Sequence, residues 1–215
     1  MTSEASDFAS LKEQHRVEKR EHIARAAASV FARQGFAETS VGDVARAAGI
    51  SPASLYTYFG SREELLFIAT FLEIGELEAR MRLALGAEGP ADAAVRRMVD
   101  AYWSFYRDRP QGFRMLMAGL DRAARAKVPG ELVAEYDRRA LECLTLLRDV
   151  VDRGSREGTF RAGDSWELTH VIWGAIHGIL GLAARQDPER FVGFAVKDLV
   201  DRTVDALLDG IREER

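Results

Sequence analysis

The chain has 215 residues, of which 47% are hydrophobic, and this composition excludes a largely disordered polypeptide. Its formal net charge of -4 excludes a surface coated with positive charge, so any binding of nucleic acid must come from a local patch. A single cysteine, Cys143, cannot form an internal disulfide.

The same features predict where the protein resides. Residues 1–10 lack the basic and apolar blocks of a signal peptide. The longest apolar run, residues 171–184, is too short to span a bilayer. Because a lone cysteine also fits a reducing compartment, we expect a soluble cytoplasmic protein with no membrane partner.

Helical periodicity dominates the chain. Apolar residues recur at spacings of three and four in segment after segment, and this period predicts an all-α fold of about nine helices. Residues 1–14 form a polar lead that we expect to be flexible. The first strong helix is expected to end at Gln34, because Gly35 supplies the stop.

Helix starts and glycine stops alternate after residue 35. Each of three segments opens with a serine that can cap a helix N-terminus and closes with a glycine that can end it. The predicted helices span 41–48, 52–59 and 62–85; they follow Ser40, Ser51 and Ser61 and stop at Gly49, Gly60 and Gly86. The result is two very short helices followed by a long one.

The two short helices have the geometry of a helix-turn-helix, whose second helix enters the DNA major groove. In that second helix Leu55 and Phe59 point inward, while Ala53 and Thr57 lie on the outward face. A small, neutral outward face can approach base edges closely, and its methyl groups suit the methyl group of thymine. Spacing alone leaves a second interpretation open, a compact three-helix core that binds no nucleic acid.

Groups that hold phosphates surround this turn, since hydroxyls, helix N-termini and cations all serve that purpose. The candidates are Ser40, Ser51, Ser54, Tyr56 and Arg62. The first helix also carries a basic cluster, which either reaches the DNA backbone or a minor groove or is a solvated face. The basic cluster consists of Lys12, Arg16, Lys19 and Arg20.

Residues 20–66 resemble the DNA-binding domain of the TetR family almost position for position, above all in TSVGDVARAAGISPASLYTYFGSREELL. The resemblance implies a dimeric transcriptional regulator that binds double-stranded operator DNA. It places a helix-turn-helix domain at 15–65 and a ligand-binding and dimerisation domain at 66–215. A repressor released by a small, largely apolar or aromatic ligand is the expected function, and a ligand-dependent activator of the same fold is the alternative.

The resemblance also assigns individual residues. Ser40, Tyr56 and Arg62 would anchor phosphates, and the residues nearest the bases would be Pro52, Ala53, Ser54, Thr57 and Tyr58. The sequence departs from the family at Arg62, where a lysine is usual, and at Ala53, where many members have glycine. Arg62 keeps the charge but offers a planar fork of donors.

The C-terminal part carries aromatic and apolar stripes that can line a cavity for a ligand. We expect ligand contacts from Tyr102, Tyr106, Phe113, Met117, Cys143, Leu147, His170, Trp173 and His177. Ordinary core packing is the alternative for these stripes, and a core histidine with a satisfied hydrogen bond is the alternative for His177. The segments WGAIHG and RPQGFRMLM resemble the WxxxHG subfamily of TetR C-terminal domains.

The last two helices are expected to form the dimer interface, because the resemblance implies a four-helix contact between subunits. The final helix is predicted from about Pro188 to Glu213 and is apolar over a broad front. Expected interface residues are Gly174, Gly178, Gly181, Phe191, Phe194, Leu199 and Leu207.

An enzyme is the competing class of function. His170 and His177 lie seven residues apart, which is about 10.5 Å along a helix and too far to bind one metal ion. The chain contains no phosphate loop, nucleophile elbow or HExxH run. We therefore expect no catalysis, metal or cofactor. A helical small-molecule-binding protein without DNA binding remains a further alternative.

Overall fold

A computed structural model describes residues 2–185, 189–191 and 193–213. Within these ranges the predicted all-α fold is confirmed, with one two-stranded hairpin added. The helices are α1 Thr2–Gln34, α2 Val41–Ala47, α3 Pro52–Tyr56, α4 Arg62–Leu85, α5 Ala91–Asp108, α6 Pro110–Gly119, α7 Arg122–Arg125, α8 Gly130–Arg156, α9 Ser165–Ala183 and α10 Val196–Ile211. Strands β1 Arg190–Phe191 and β2 Phe194–Ala195 pair antiparallel.

The chain divides into two compact units. The first comprises Met1–Leu72 and Ala118–Tyr136, and the second comprises Glu73–Met117 and Asp137–Arg215. The boundary expected after residue 65 lies inside α4, which supplies residues to both units. The first unit also takes in a second stretch of chain that local patterns did not assign to it.

Helix α1 begins at Thr2 and therefore includes most of segment 1–14, while the flexibility expected for that segment stays a prediction. Residues 2–34 contain no glycine or proline, and side-chain pairs at helical spacing support the middle of the helix. Gln14 and Glu18 form one such pair at 3.3 Å. The predicted end at Gln34 is confirmed, with Gly35 in the left-handed conformation at φ 82°.

The core of the first unit joins α1 to the two short helices. Ile23 and Phe31 of α1 are fully buried, as are Val44 of α2 and Leu55 of α3. Burying a side chain of this size contributes about 1.5–3 kcal/mol, so these contacts and not helix propensity hold the short helices. The inward orientation predicted for Leu55 and Phe59 is confirmed.

The second unit is built around α5, α9 and α10. Helix α10 turns one face inward, and its buried side chains recur every fourth residue: Val196, Val200, Val204 and Leu208. This face packs against α9 and α5. Among the described residues, no helix combines the length and the apolar character that a membrane span requires.

The start of the last helix was predicted wrongly. Instead of running from about Pro188, which lies outside the described residues, the helix begins at Val196. Arg190–Phe191 and Phe194–Ala195 form the strands of the hairpin instead, and the backbone of Phe191 pairs with that of Phe194. Gly193 turns the chain at φ 85°, a conformation that a helix interior does not contain.

Candidate functional site

The helix-turn-helix is held by the caps that the sequence indicated. Ser40 Oγ accepts from the backbone N–H of Asp43 at 3.1 Å, and an Asp43 carboxylate oxygen accepts from the backbone N–H of Ser40 at 3.0 Å. The Ser40 hydroxyl also donates to an Asp43 carboxylate oxygen at 2.6 Å, and this bond, together with the one from the Ser40 backbone N–H, holds the pKa of Asp43 below its usual value. Gly49 ends α2 at φ 66°, and Ser51 Oγ accepts from Ser54 N–H at 3.0 Å to open α3.

Helix α3 is shorter than expected, since it ends at Tyr56 instead of Phe59. The chain tightens there, because the backbone N–H of Tyr58 donates to the carbonyl of Leu55, three residues back, at 2.9 Å. Thr57 forms the C-cap, and its hydroxyl donates to the carbonyl of Ser54 at 2.7 Å.

Most residues expected to contact DNA lie on an exposed surface. The exposed members are Ser40, Ser51, Pro52, Ala53, Tyr56 and Thr57, and the half-buried ones are Ser54, Tyr58 and Arg62. Tyr56 is 55% exposed, although it is a large aromatic residue in a short helix. The hydroxyls of Ser51 and Ser54 lie 2.8 Å apart at the start of α3. This surface offers hydroxyls, methyl groups and a helix N-terminus without a dense positive charge.

Arg62 is placed differently from the other phosphate candidates. Its Nη2 donates to the carbonyls of Phe36 and, at 3.2 Å, Ala37, and its guanidinium lies 4.1 Å from the centroid of the Phe36 ring. Its Nε is buried without a hydrogen-bond partner among the described residues. The geometry gives Arg62 a role in fixing the turn after α1, while its phosphate contact stays a prediction.

Arg20 and Glu64 are residues whose importance the sequence did not reveal. Arg20 was grouped with the basic cluster, but its Nη2 donates to Glu64 at 3.2 Å and its Nη1 donates to the carbonyl of Tyr58. Glu64 is only 8% exposed. The partners lie 38 and 44 residues from Arg20, so no local spacing could have indicated them.

Aromatic side chains of the second unit gather around His177. We call Tyr102, Tyr106, Phe113, Trp173 and His177 the aromatic cluster. The Tyr102 hydroxyl lies 2.5 Å from His177 Nδ1. The Trp173 ring stacks on His177 with centroids 4.6 Å apart, and Phe113 lies 5.9 Å from His177 and 5.0 Å from Tyr106. Five of the nine expected ligand contacts therefore form one group.

His177 is a neutral imidazole, and one of its two ring nitrogens has no hydrogen-bond partner among the described residues. Burial lowers its pKa from 6.5 to about 4, so the ring is uncharged near pH 7. Nδ1 is satisfied by Tyr102, but Nε2 is buried and no described residue offers it a hydrogen bond. The interpretation of His177 as a fully satisfied core histidine accounts for only half of the ring. An unpaired buried polar atom is costly and requires an explanation.

The remaining expected ligand residues lie outside this group of ring contacts. His170 is exposed, and its Nδ1 lies 2.7 Å from the carbonyl of Trp166. Cys143 and Leu147 are buried in α8, where burial, with a smaller effect of Glu78, raises the pKa of the Cys143 thiol to about 12. Met117 lies against Gly181.

A surface groove in the second unit does not involve the expected ligand residues. Its volume is about 220 Å³ and its walls are Leu85, Leu146, Asp149, Val150 and Arg153. The wall includes two charged side chains and contains no member of the aromatic cluster. The groove therefore lacks the stacked rings and the buried imidazole found around His177.

The residues expected at a dimer interface separate into two groups. Gly174 and Gly178 are exposed, and a Cβ atom at either would meet nothing within 4 Å. Gly181 differs because it is buried, and a Cβ there would lie 3.0 Å from Met117 Cε of the same chain. The exposed part of α9 instead continues through Val171 and Leu182, which are 47% and 48% exposed.

The other expected interface residues lie around α10. Phe194 is 58% exposed, and Leu199 and Leu207 are half-buried. The backbone of Phe191 belongs to β1, but its side chain lies outside the described part of the protein. Apolar side chains on α9 and around the start of α10 are thus accessible in a single chain.

Two family profiles match the chain. The profile described as "Bacterial regulatory proteins, tetR family" matches residues 23–68, which contain the capped helix-turn-helix. The profile described as "Tetracyclin repressor-like, C-terminal domain" matches residues 95–207, more than half of the chain.

Individual proteins are also similar. The HTH-type transcriptional repressor NicS of Pseudomonas putida is 29% identical over 159 residues, 71% of this chain and 69% of NicS. The TetR family regulator PfmR from Thermus thermophilus is 26% identical with a TM-score of 0.64, over 90% of this chain and 99% of PfmR. The regulator FadR from Bacillus subtilis, solved with stearoyl-CoA, is 19% identical with a TM-score of 0.69, over 89% and 99% of the two chains. The last likeness shows the fold alone.

Proposed function

The chain belongs to the TetR family of bacterial regulatory proteins, and on this premise we propose that it is a homodimeric repressor released from operator DNA by a small, largely apolar or aromatic ligand. The name of the relative NicS, a transcriptional repressor, supports repression as the sign of control. As a regulator of transcription the protein acts in the cytoplasm. The segment WGAIHG supports placing its C-terminal part in the WxxxHG subfamily.

DNA reading falls to the exposed face of α3. Ala53 and Thr57 present small apolar groups that can approach base edges, and Tyr56 presents a phenol that can hold a phosphate. Ser40 and Ser51 add hydroxyls at the N-termini of α2 and α3, where the backbone N–H groups also favour phosphate. Recognition therefore depends on precise contacts more than on bulk charge.

The aromatic cluster binds the ligand. The observation that supports this assignment is the buried, unpaired Nε2 of His177. A neutral imidazole offers one hydrogen bond in an apolar surrounding, which fixes the orientation of a ligand without the cost of burying a charge. The stacked ring of Trp173 and the tilted ring of Phe113 provide apolar area beside it. A ligand with an aromatic or acyl body and one polar group fits this chemistry.

Dimerisation falls to α9 and α10. Gly174 and Gly178 allow another helix to approach α9 closely, and Val171 and Leu182 flank them with apolar area. A dimer places two recognition helices on DNA half-sites about 34–36 Å apart. Ligand binding favours a subunit arrangement in which α4 reorients the helix-turn-helix, so this spacing is lost and affinity for DNA falls.

Selection of duplexes from a random-sequence pool by the full chain, read by gel shift at several salt concentrations, tests operator binding. We expect a specific and salt-sensitive complex. Ala53→Glu places a negative charge on the recognition face and abolishes the complex, whereas Ala162→Glu, at an exposed alanine of the second unit, leaves it intact. A chain that selects no duplex contradicts the proposal.

A thermal-shift screen of small aromatic and acyl carboxylic acids and amides tests the ligand half. Compounds that stabilise the protein are then added to the gel shift, where we expect release of DNA. His177→Phe removes the response while His170→Phe keeps it, because only His177 belongs to the aromatic cluster. Linkage requires operator DNA to weaken ligand binding by the same factor, so calorimetry without such reciprocity refutes the coupling.

A further inference from the structure

Arg20 of α1 contacts the chain just beyond α3, the proposed recognition helix. Its Nη1 donates to the carbonyl of Tyr58, and its guanidinium lies 4.6 Å from the centroid of the Phe59 ring. Its Nη2 donates to Glu64 Oε1 at 3.2 Å. One side chain thus contacts two consecutive residues after α3 and one residue in the first turn of α4.

Glu64 bonds both to Arg20 and to the connection between α3 and α4. Its Oε2 accepts from the backbone N–H of Gly60 at 2.6 Å, and its own N–H donates to Ser61 Oγ at 3.0 Å. Because the carboxylate is nearly buried, its bonds to Arg20 and Gly60 are little weakened by water. The carboxylate therefore links Arg20 to the connection between α3 and α4.

His22 holds the other helix of the pair. Its Nε2 lies 3.1 Å from the carbonyl of Ala48, which can only accept, so the imidazole donates. Ala48 is the C-cap of α2, directly before the turn at Gly49. Two side chains of α1 therefore bind the C-cap of α2 and the residues directly after α3.

Helix α3 depends on such external anchors. It spans only five residues, and a helix of that length is unstable in isolation. Leu55 buries its inner face and Phe59 is buried just after it, but apolar contacts are non-directional and leave the angle of the helix loosely defined. Charge-assisted hydrogen bonds at its end supply the missing direction.

We propose that Arg20 and Glu64 are positioning residues for base reading, which fix the angle of α3 without touching DNA. The role rests on the proposed reading of operator DNA by α3. The two terminal nitrogens of Arg20 already donate to Tyr58 and Glu64, so a phosphate would have to displace one of these bonds. Arg25 makes an exposed pair with Glu21 on the same helix, with no other partner among the residues that the structure describes. It is the matched control.

The experiment compares full-length Arg20→Ala, Arg20→Lys, Glu64→Gln and Arg25→Ala with the wild type. The probes are a duplex selected by the wild type from a random-sequence pool and sheared heterologous DNA. Affinity for both is measured over a range of salt concentrations, with the active fraction determined by stoichiometric titration. This fraction separates loss of folded protein from weakened binding by folded protein.

We expect Arg20→Ala to weaken specific binding about 10- to 100-fold, the loss that follows when one or two base contacts are misplaced. Binding to heterologous DNA and the salt dependence of specific binding stay at wild-type values, since no phosphate contact is lost. Glu64→Gln shows a smaller loss in the same direction, because the amide oxygen still accepts from Gly60. Arg20→Lys lies between, and Arg25→Ala equals the wild type.

Other results overturn the assignment. If the slope of log affinity against log salt concentration becomes flatter by about 0.9 in Arg20→Ala, Arg20 is a phosphate contact. Unchanged specific affinity in both Arg20→Ala and Glu64→Gln removes the positioning role while leaving operator binding intact. If Arg20→Ala does not fold, Arg20→Lys and Glu64→Gln decide by the same criteria. A wild type that selects no duplex refutes operator binding itself, and the positioning role with it.

Discussion

Arg109 donates two parallel hydrogen bonds to the carboxylate of Glu73, each at 2.7 Å, and the Glu73 side chain is only 1% exposed. The pair joins α4 to the C-cap of α5 within the second unit. The bonds from Glu73 raise the pKa of Arg109 above its usual value. A Cβ atom at Gly112 would lie 2.2 Å from Glu73 Oε2, so this ion pair also requires a glycine at that position.

Replacing Arg109 by methionine leaves the buried Glu73 charge without its partner. We expect the free energy of unfolding to fall by about 3 kcal/mol, the lower part of the range for a buried pair because Arg109 itself is partly exposed. Urea denaturation measures the change. Arg107→Met, which breaks only a surface pair with Asp108, is the control and has little effect. Equal losses in the two variants contradict a special role for Glu73.

Acid destabilises the second unit through His177. Its pKa is about 4 in the folded chain and 6.5 as an ordinary imidazole, so between these values the unfolded chain binds more protons. Stability is therefore complete above pH 6.5 and falls as the pH drops toward 4, by about 3 kcal/mol in total.

Urea denaturation of the wild type and His177→Gln between pH 7 and pH 4 measures this effect. Because glutamine does not titrate, the difference in stability between the two proteins shrinks or reverses as the pH falls. Carboxylates titrate equally in both proteins and cancel in the comparison. His170→Gln, which leaves the aromatic cluster intact, is the control variant. A difference between wild type and His177→Gln that is constant across this range rules out a neutral, buried His177.

Local chemistry explains which parts of the fold could be predicted. A cap such as Ser40 with Asp43 lies within three residues, and a stop such as Gly35 is a property of one residue, so the sequence indicates both directly. The inward face of α3 followed from the spacing of Leu55 and Phe59. These features indicate the helix-turn-helix in the sequence before any tertiary contact is known.

Contacts between distant residues explain what could not be predicted. Arg62 reaches Phe36 and Arg109 reaches Glu73 across 26 and 36 residues, and no periodicity encodes such partners. The hairpin was missed because Phe191 and Phe194, three residues apart, fit a helical stripe as well as paired strands. Gly193 was the available signal for a turn between them.

Arg62→Ala tests whether Arg62 fixes the turn after α1 or holds a phosphate. Because its guanidinium bonds to Phe36 and Ala37 and stacks on the Phe36 ring, we expect a loss of stability of about 1–2 kcal/mol. The salt dependence of DNA binding stays unchanged if Arg62 makes no phosphate contact. If the slope of log affinity against log salt concentration becomes flatter by about 0.9 per contact, and stability is unchanged, the phosphate role is supported instead.

Gly178→Leu tests the contact between subunits. A Cβ atom at this position would meet nothing within 4 Å in the described part of the chain, so the variant folds and even gains helix propensity of a few tenths of a kcal/mol or more. A leucine on the exposed face of α9 nevertheless blocks the close approach of a second helix, and we expect the dimer to dissociate. Gly75→Leu is the matched control, since Gly75 is also exposed within a helix and its Cβ would meet nothing within 4 Å. Sedimentation at several protein concentrations distinguishes the variants, and a Gly178→Leu protein that remains as dimeric as Gly75→Leu excludes α9 from the interface.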